Sequence, residues 1–160
     1  FSKITRLFAH VYSTPFKFLT FQFGGEYGKK IYRGVEPKLG FAKEFNVYLK
    51  LKPTDKFESS IWIAKARLED DRTGELFYDG YIAGLVGIYQ FNPNLFIRLI
   101  TQYDSFSRSV QVFPLLSFKL NPFTIFYIGS VVDMHNFGEP YGVKQTNRQF
   151  FLKLQYLWRD

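Results

Sequence analysis

The stretch 146-TNRQFFLKLQYLWRD-160 decides how the rest of the sequence is read. Taken alternately it separates into Phe150, Leu152, Leu154, Tyr156 and Trp158 on one side and Gln149, Phe151, Lys153, Gln155 and Leu157 on the other. A period of two is the signature of a strand, because successive side chains leave a pleated backbone on opposite faces. One face is wholly apolar and ends in two aromatics. A chain end of this kind would fray in water unless something apolar covered it.

The same alternation runs through the whole chain. Breaking the sequence at Gly, Pro, Asn and Asp clusters leaves nine segments with strand periodicity and none with a helical one: 2–13, 16–27, 38–52, 56–69, 75–91, 94–104, 108–120, 124–132 and 147–158. Composition agrees, since 21% of residues are aromatic, with 20 Phe and 11 Tyr, while mean hydropathy is only −0.14. Apolar and polar residues must therefore be finely interleaved. No run of 18 or more apolar residues exists, so the sequence contains no helical membrane span.

The connectors sort into two alternating kinds. Ser13-Thr14-Pro15, Pro53-Thr54-Asp55, Asn92-Pro93-Asn94 and Asn121-Pro122-Phe123 are tight turns of residues that preset or tolerate turn dihedrals. Between them fall 28–37, 70–74, 105–107 and 133–146, which include the two longest and most polar connectors. Outer-membrane barrels have this asymmetry, with short periplasmic turns and longer external loops. Under that reading the loops at 28–37 and 133–146 are the expected contact surfaces.

Five strands show a charge-free face: Phe45 to Leu51, Trp62 to Leu68, Leu95 to Tyr103, Val110 to Phe118 and Phe150 to Trp158, each at alternate positions. Their partner faces hold Glu44, Asn46, Lys50, Lys65, Arg67, Arg98, Gln102, Gln111, Lys119, Lys153 and Gln155, which are expected to face the lumen. A Lys or Arg facing lipid at mid-bilayer costs roughly 2–4 kcal/mol, which is the physical reason for such segregation. In 75–91 and 124–132 both faces are apolar and the sequence assigns neither. Pro114 falls mid-strand, where it cannot donate a ladder hydrogen bond, and predicts a bulge or an edge position. Tyr12, Phe16, Phe91, Phe96, Phe118, Phe123, Tyr156 and Trp158 cluster toward the short-turn side as an aromatic girdle.

Residue patterns for chemistry are sparse. His10 and His135 stand 125 positions apart, without a second ligand at metal spacing. Glu69-Asp70-Asp71 lacks the alternating spacing of a calcium loop, and 24-GGEYG-28 is followed by no helix pattern that would make it a phosphate loop. Zero cysteines exclude disulfides and thiolate metal sites. The net charge of +7 comes from 21 scattered Lys and Arg with no run of five, which reads as strand ends and a polar face, so no nucleic-acid partner is expected. Neither a catalytic group nor a cofactor is expected.

The second half carries a resemblance. The stretches 89-YQFNPNLFIRLITQYDSFSRSV-110, 113-FPLLSFKLNPFTIFYIGS-130 and 146-TNRQFFLKLQYLW-158 resemble the C-terminal barrel of large Gram-negative outer-membrane proteins whose N-terminal part is a carbohydrate-binding family 9-like module. The likeness is specific over about 75–158 and general over 1–74. It implies a location and a fold, with outer-membrane lipid as surroundings and no reaction. The final segment also resembles the signal read by the barrel-assembly machinery, its terminal aromatic being Trp158 followed by Arg159 and Asp160.

Together these readings predict an all-β, antiparallel transmembrane β-barrel over residues 1–160, with about nine strands forming the C-terminal part of a larger barrel. Nine strands with periplasmic short turns put the start of the first strand outside, whereas single-chain bacterial barrels have even strand numbers. An upstream strand or a partner chain is therefore expected to complete closure. The expected function is a non-enzymatic anchor or pore in the bacterial outer membrane. The alternatives are a soluble lipocalin-like ligand-binding barrel, apolar inside, and an outer-membrane enzyme with its active site in the loops.

Overall fold

The computed structural model describes residues 4–34 and 36–158. All regular structure among them is strand. The elements are β1 (Arg6–Phe16), β2 (Leu19–Arg33), β3 (Pro37–Thr54), β4 (Phe57–Asp70), β5 (Leu76–Asn92), β6 (Leu95–Asp104), β7 (Ser109–Asn121), β8 (Thr124–Asn136) and β9 (Val143–Tyr156). They form one antiparallel meander in chain order, β1 through β9, so every neighbour in sequence is a neighbour in space. The sheet is open: β1 and β9 each pair on one side only among the described residues. The predicted first strand began at residue 2, and residues 2 and 3 lie outside the described residues.

Nine strands fall close to their predicted ranges, and the largest differences lie at the connectors. On one end of the sheet the hairpins turn on two residues each, at 17–18, 55–56, 93–94 and 122–123. On the other end the connectors are 34–36, 71–75, 105–108 and 137–142. The asymmetry of connector length therefore holds, but the long loops expected at 28–37 and 133–146 are mostly strand. Lys29 to Arg33 pairs with Pro37 to Phe41, and Asp133 to Asn136 pairs with Val143 to Asn147. Polar composition there marks strands that run on, since a ladder needs only backbone donors and acceptors. On the short side Ser13-Thr14-Pro15 is not the turn: it lies within β1 at an irregularity of register, and Lys17-Phe18 turn instead.

Side chains close the turns. Asn92 Oδ1 accepts from the Asn94 amide at 2.9 Å, and Asn121 Oδ1 from the Phe123 amide at 2.9 Å. At the far end Asp70, Asp104 and Asn136 do the same for 71–75, 105–108 and 137–142, accepting from Arg72, Phe106 and Gly138 at 2.8, 2.8 and 2.9 Å. These are Asx turns, in which a short side-chain oxygen replaces the missing ladder acceptor.

The register defines two faces. Face A holds Val11, Phe23, Val47, Ile63, Ala83, Tyr103, Val110 and Met134, while face B holds His10, Gly24, Asn46, Ala64, Ile82, Asp104, Ser109 and His135. The sheet curls toward face B. Tyr32 of β2 stacks on Phe77 of β5 at 4.5 Å, although strands three apart lie about 14 Å from each other in a flat sheet. The most buried residues, Ala42, Leu68 and Ser117, all sit on that face.

Glycines in β5 and β8 permit the curl. Trp62 lies across Gly84, and a Cβ there would overlap the indole; Phe151 lies likewise over Gly129. An aromatic ring packed flat on a cross-strand glycine fills the space that a side chain would otherwise take. Pro114 occupies an interior strand. The ladder from β7 to β8 breaks opposite Phe113 and Pro114 and resumes at Leu115↔Gly129, with the register unchanged across the gap. The break follows from the missing proline N–H, and no extra residue is inserted.

Candidate functional site

Face A is apolar through its middle in all nine strands. Its central residues include Ala9 and Val11, Phe21 and Phe23, Val47 and Leu49, Ile61 and Ile63, Leu85, Leu99, Val112, Ile128, Leu152 and Leu154, and no charge interrupts them. Many are strongly exposed, Leu152 at 74% and Phe150 at 71% among them. An apolar surface this extended does not face water on ordinary monomeric proteins.

Aromatic pairs bound that band at both ends. On the short-turn side lie Phe16–Phe18 at 5.3 Å, Tyr89–Phe91 at 5.0 Å and Tyr156–Trp158 at 6.3 Å. On the loop side lie Tyr27–Phe41 at 4.7 Å and Tyr81–Tyr103 at 5.6 Å. Of the eight aromatics expected in the first belt, Tyr12 and Phe96 sit on face B instead, opposite Gln22 and Ser117. The second belt was not read from the sequence, although alternation from Tyr89 leads directly to Tyr81. Between them on β5 lie about 26 Å of strand at roughly 3.3 Å per residue, or about 20 Å of height at a tilt near 40°.

The residues expected to face the lumen divide into two sets. Glu44, Lys50, Arg98, Gln102, Gln111, Lys119, Lys153 and Gln155 share face B. Lys65 and Arg67 do not. Lys65 pairs with Phe45 and Tyr81, and Arg67 with Lys43 and Asp79, all on face A. The set Trp62, Ala64, Ala66 and Leu68, expected to face outward with Phe45 and Leu49, lies on face B opposite Tyr48, Asn46, Glu44 and Ala42. Strand β4 misled because Ile61 and Ile63 offer a second apolar set on the other face, and cross-strand pairing chose it. Lys65 lies in the row of Tyr81 and Arg67 one row beyond, so both stand at the end of the apolar band. There they meet Asp79 at 3.5 and 3.1 Å, Lys43 meets Glu69 at 3.7 Å, and Arg67 also binds Glu69. The closing set Phe150, Leu152, Leu154 and Tyr156 lies on face A, opposite Ser130, Ile128, Phe126 and Thr124.

Face B is polar, with ion pairs along β1–β4. Arg6 meets Glu26 at 3.1 Å, Lys30 binds Glu44, and Lys50 meets Glu58 at 2.8 Å. Over β6–β9 the pattern changes. Gln111 and Asn147 donate to Asp133 at 2.9 and 3.1 Å, and the Tyr127 hydroxyl donates to Gln155 at 3.3 Å. Arg98 and Lys119 have no ion-pair partner among the described residues, and Lys153 lies 5.9 Å from the Tyr127 ring.

The acidic run 69–71 is drawn apart. Glu69 binds Arg67 and Asp71 binds Lys29 at 2.7 Å, while Asp70 closes its turn through the amides of Arg72 and Thr73 at 2.8 and 2.9 Å. Those amides, Thr73 first, hold the Asp70 carboxyl below its ordinary value. His10 lies opposite Gly24, and His135 packs on Phe137 at 4.6 Å. Among the described residues no group of three His, Cys, Asp or Glu is placed to hold a metal.

Comparison with protein families, with curated proteins and with solved structures finds no match.

Proposed function

We propose that this sheet is a stretch of the wall of a transmembrane β-barrel in a bacterial outer membrane, serving as anchor or pore within an envelope assembly. One observation carries the reading: a charge-free band of face A crosses nine strands and is bounded at both ends by aromatic pairs. Lipid solvates such a face at no cost, and aromatic rings settle at the two interfaces. Face B then lines the lumen, two-residue turns lie in the periplasm, and the longer connectors point outward. Lys65 and Arg67 fall at headgroup level, where a long basic side chain reaches the polar layer. A soluble barrel of lipocalin type would need its apolar face inside the curl, where this sheet places its ion pairs.

Closure follows from the same physics. Unpaired backbone groups in lipid cost several kcal/mol each, so the free edges of β1 and β9 require partners. Both strands run in the same direction, as first and last of nine antiparallel strands, and joining them directly would make a parallel pair. Antiparallel closure takes an odd number of further strands, from this polypeptide or from another. A second copy inserted with the same orientation would not serve, since it presents β1 to β9 in parallel as well.

Extraction and electrophoresis test the proposal. The protein is expected to stay in the membrane fraction through alkaline carbonate, to need detergent for release and to migrate differently before and after boiling. A folded monomer in plain buffer would refute it.

A further inference from the structure

Face A carries aromatic pairs at both ends but charge at only one. At the short-turn end of β2–β5 its paired positions are Leu19, Leu51, Phe57 and Tyr89, none of them charged. At the loop end of β3–β5 it carries Lys43, Lys65, Arg67, Glu69 and Asp79. No cation joins them from the strand residues of β6–β8, where Tyr103, Val110 and Met134 stand at that end.

The patch is not neutralised from within. Lys43 and Arg67 are direct cross-strand partners, and like charges so placed repel. Two carboxylates serve three cations: Glu69 meets Arg67 and, at 3.7 Å, Lys43, while Asp79 meets Arg67 at 3.1 Å and Lys65 at 3.5 Å. Both ammoniums sit farther from their carboxylates than Lys29 does from Asp71, at 2.7 Å, and keep donors free. They also stand farther out, Lys43 at 51% and Lys65 at 41% exposed against 22% for Glu69 and 26% for Asp79. The two lysines are diagonal neighbours across β3 and β4, with roughly 7–8 Å between them.

An apolar groove begins at the same place. About 420 Å3 in volume, it runs from Lys43 past Gly25 and Phe45 to Phe23, with Leu7 and Ala9 along its far side. These residues are all on face A, and Gly25 adds no side chain to the floor. The groove thus leads from the cations toward the middle of the apolar band.

We propose that this corner of face A holds an anionic phospholipid of the loop-side leaflet, its phosphate between the Lys43 and Lys65 ammoniums and one acyl chain in the groove over Gly25. Lysines bind phosphate as point charges, Arg67 keeps the surrounding potential positive, and the remaining lining is hydrocarbon. A zwitterionic lipid offers the same tail but brings a further cation to a patch that already has one in excess, so charge complementarity selects against it. The inference rests on the outer-membrane reading above, since it takes face A as the lipid side.

The test uses the detergent-extracted protein in phosphatidylcholine nanodiscs and a phosphatidic acid bearing a diazirine in its acyl chain, with photoadducts mapped by mass spectrometry. Adducts are expected to concentrate on Leu7, Phe23 and Phe45 rather than on Leu99, Leu116 and Ile128, which face lipid without a cation nearby. Unlabelled phosphatidic acid should compete, and added phosphatidylcholine should compete at least about tenfold more weakly. Lys43→Gln with Lys65→Gln is expected to lower groove labelling by at least about tenfold, whereas Lys43→Arg with Lys65→Arg keeps most of it. Lys119→Gln with Lys153→Gln makes the same change of net charge on face B and should leave labelling unaltered. Adducts spread equally over both groups of residues, with phosphatidylcholine competing as well as phosphatidic acid and the Lys43 and Lys65 variant unchanged, would overturn the site and leave the barrel standing. A protein that is monomeric in buffer without detergent would overturn both. Variants are compared only where boiling still shifts their migration; if the double variant does not fold, Lys43→Gln and Lys65→Gln are compared singly, each with an expected loss of roughly fivefold.

Discussion

The two halves of face B solve the same problem differently. Over β1–β4 each of Arg6, Lys30 and Lys50 has a carboxylate beside it. Over β6–β9 Arg98, Lys119 and Lys153 carry charge without a carboxylate partner among the described residues, and of the three Arg98 borders the recess formed with Ile100, Phe113, Leu115 and Phe151. The first half of face B thus neutralises its charges locally, whereas the second half leaves three cations without a carboxylate among the described residues. Face A shows no such division, since its band is apolar in both halves. The asymmetry therefore belongs to face B alone.

The largest effect should come from breaking face A. Ile61→Lys and Leu152→Lys each place an ammonium in the apolar band, and each is expected to lose roughly 2–4 kcal/mol of folding free energy in lipid. Ser60→Lys, one residue away on face B, is expected to change stability by less than about 1 kcal/mol. Denaturant titration of the protein refolded into vesicles gives the values, and equal losses at 60 and 61 would break the assignment of faces. A smaller loss, about 1–3 kcal/mol, is expected for Gly84→Val, where the new side chain meets the Trp62 indole; Gly87→Val meets open space and should cost little by the same titration.

Comparing the halves directly gives smaller numbers. Lys50→Ala removes a half-exposed ion pair and should cost about 0–1 kcal/mol, while Lys119→Ala, with no partner to lose, should be silent. Conductance would sharpen the contrast. If the protein forms a pore in planar bilayers, charge reversal at Lys119 and Lys153 should reduce anion preference more than reversal at Lys30 and Lys50, whose charges are already neutralised.

The smallest effect is set by pH at the 71–75 turn. Asp70 is held below its ordinary value by the Thr73 and Arg72 amides, so its contribution is present above the unfolded carboxyl value near 3.9 and is lost as pH falls through the lower folded value. Amide exchange at 71–75 should quicken, relative to the intrinsic rate, only in that acid window, and Asp70→Asn should remove the dependence.

Most of the fold was legible because a period of two and turn residues at regular spacing leave little else for the chain to do. What was not legible has local causes. In β4 both faces carry apolar residues, and the alternation alone puts Lys65 and Arg67 with the polar set, because it treats charge as excluded from the apolar face along its whole height. The exclusion ends where the apolar band ends. In 28–33 and 133–136 polar residues looked like loop, yet the ladder runs through them on backbone bonds alone. β5 and β8 had no assignable face until their neighbours fixed the register. Pro114 reads from the sequence as a bulge or an edge position, whereas it stands in an interior strand and interrupts pairing with β8 with no residue inserted, because only the missing N–H matters there.

The central claim is that face A meets lipid and face B meets water. The described chain, like the full sequence, contains no cysteine, so single cysteines introduced one at a time at 59–64 would carry a spin label at known places. In reconstituted bilayers the account predicts that labels at 59, 61 and 63 collide mainly with oxygen and those at 60, 62 and 64 mainly with a water-soluble nickel chelate. An accessibility profile of opposite phase, or one in which all six sites see only the aqueous reagent, would contradict it.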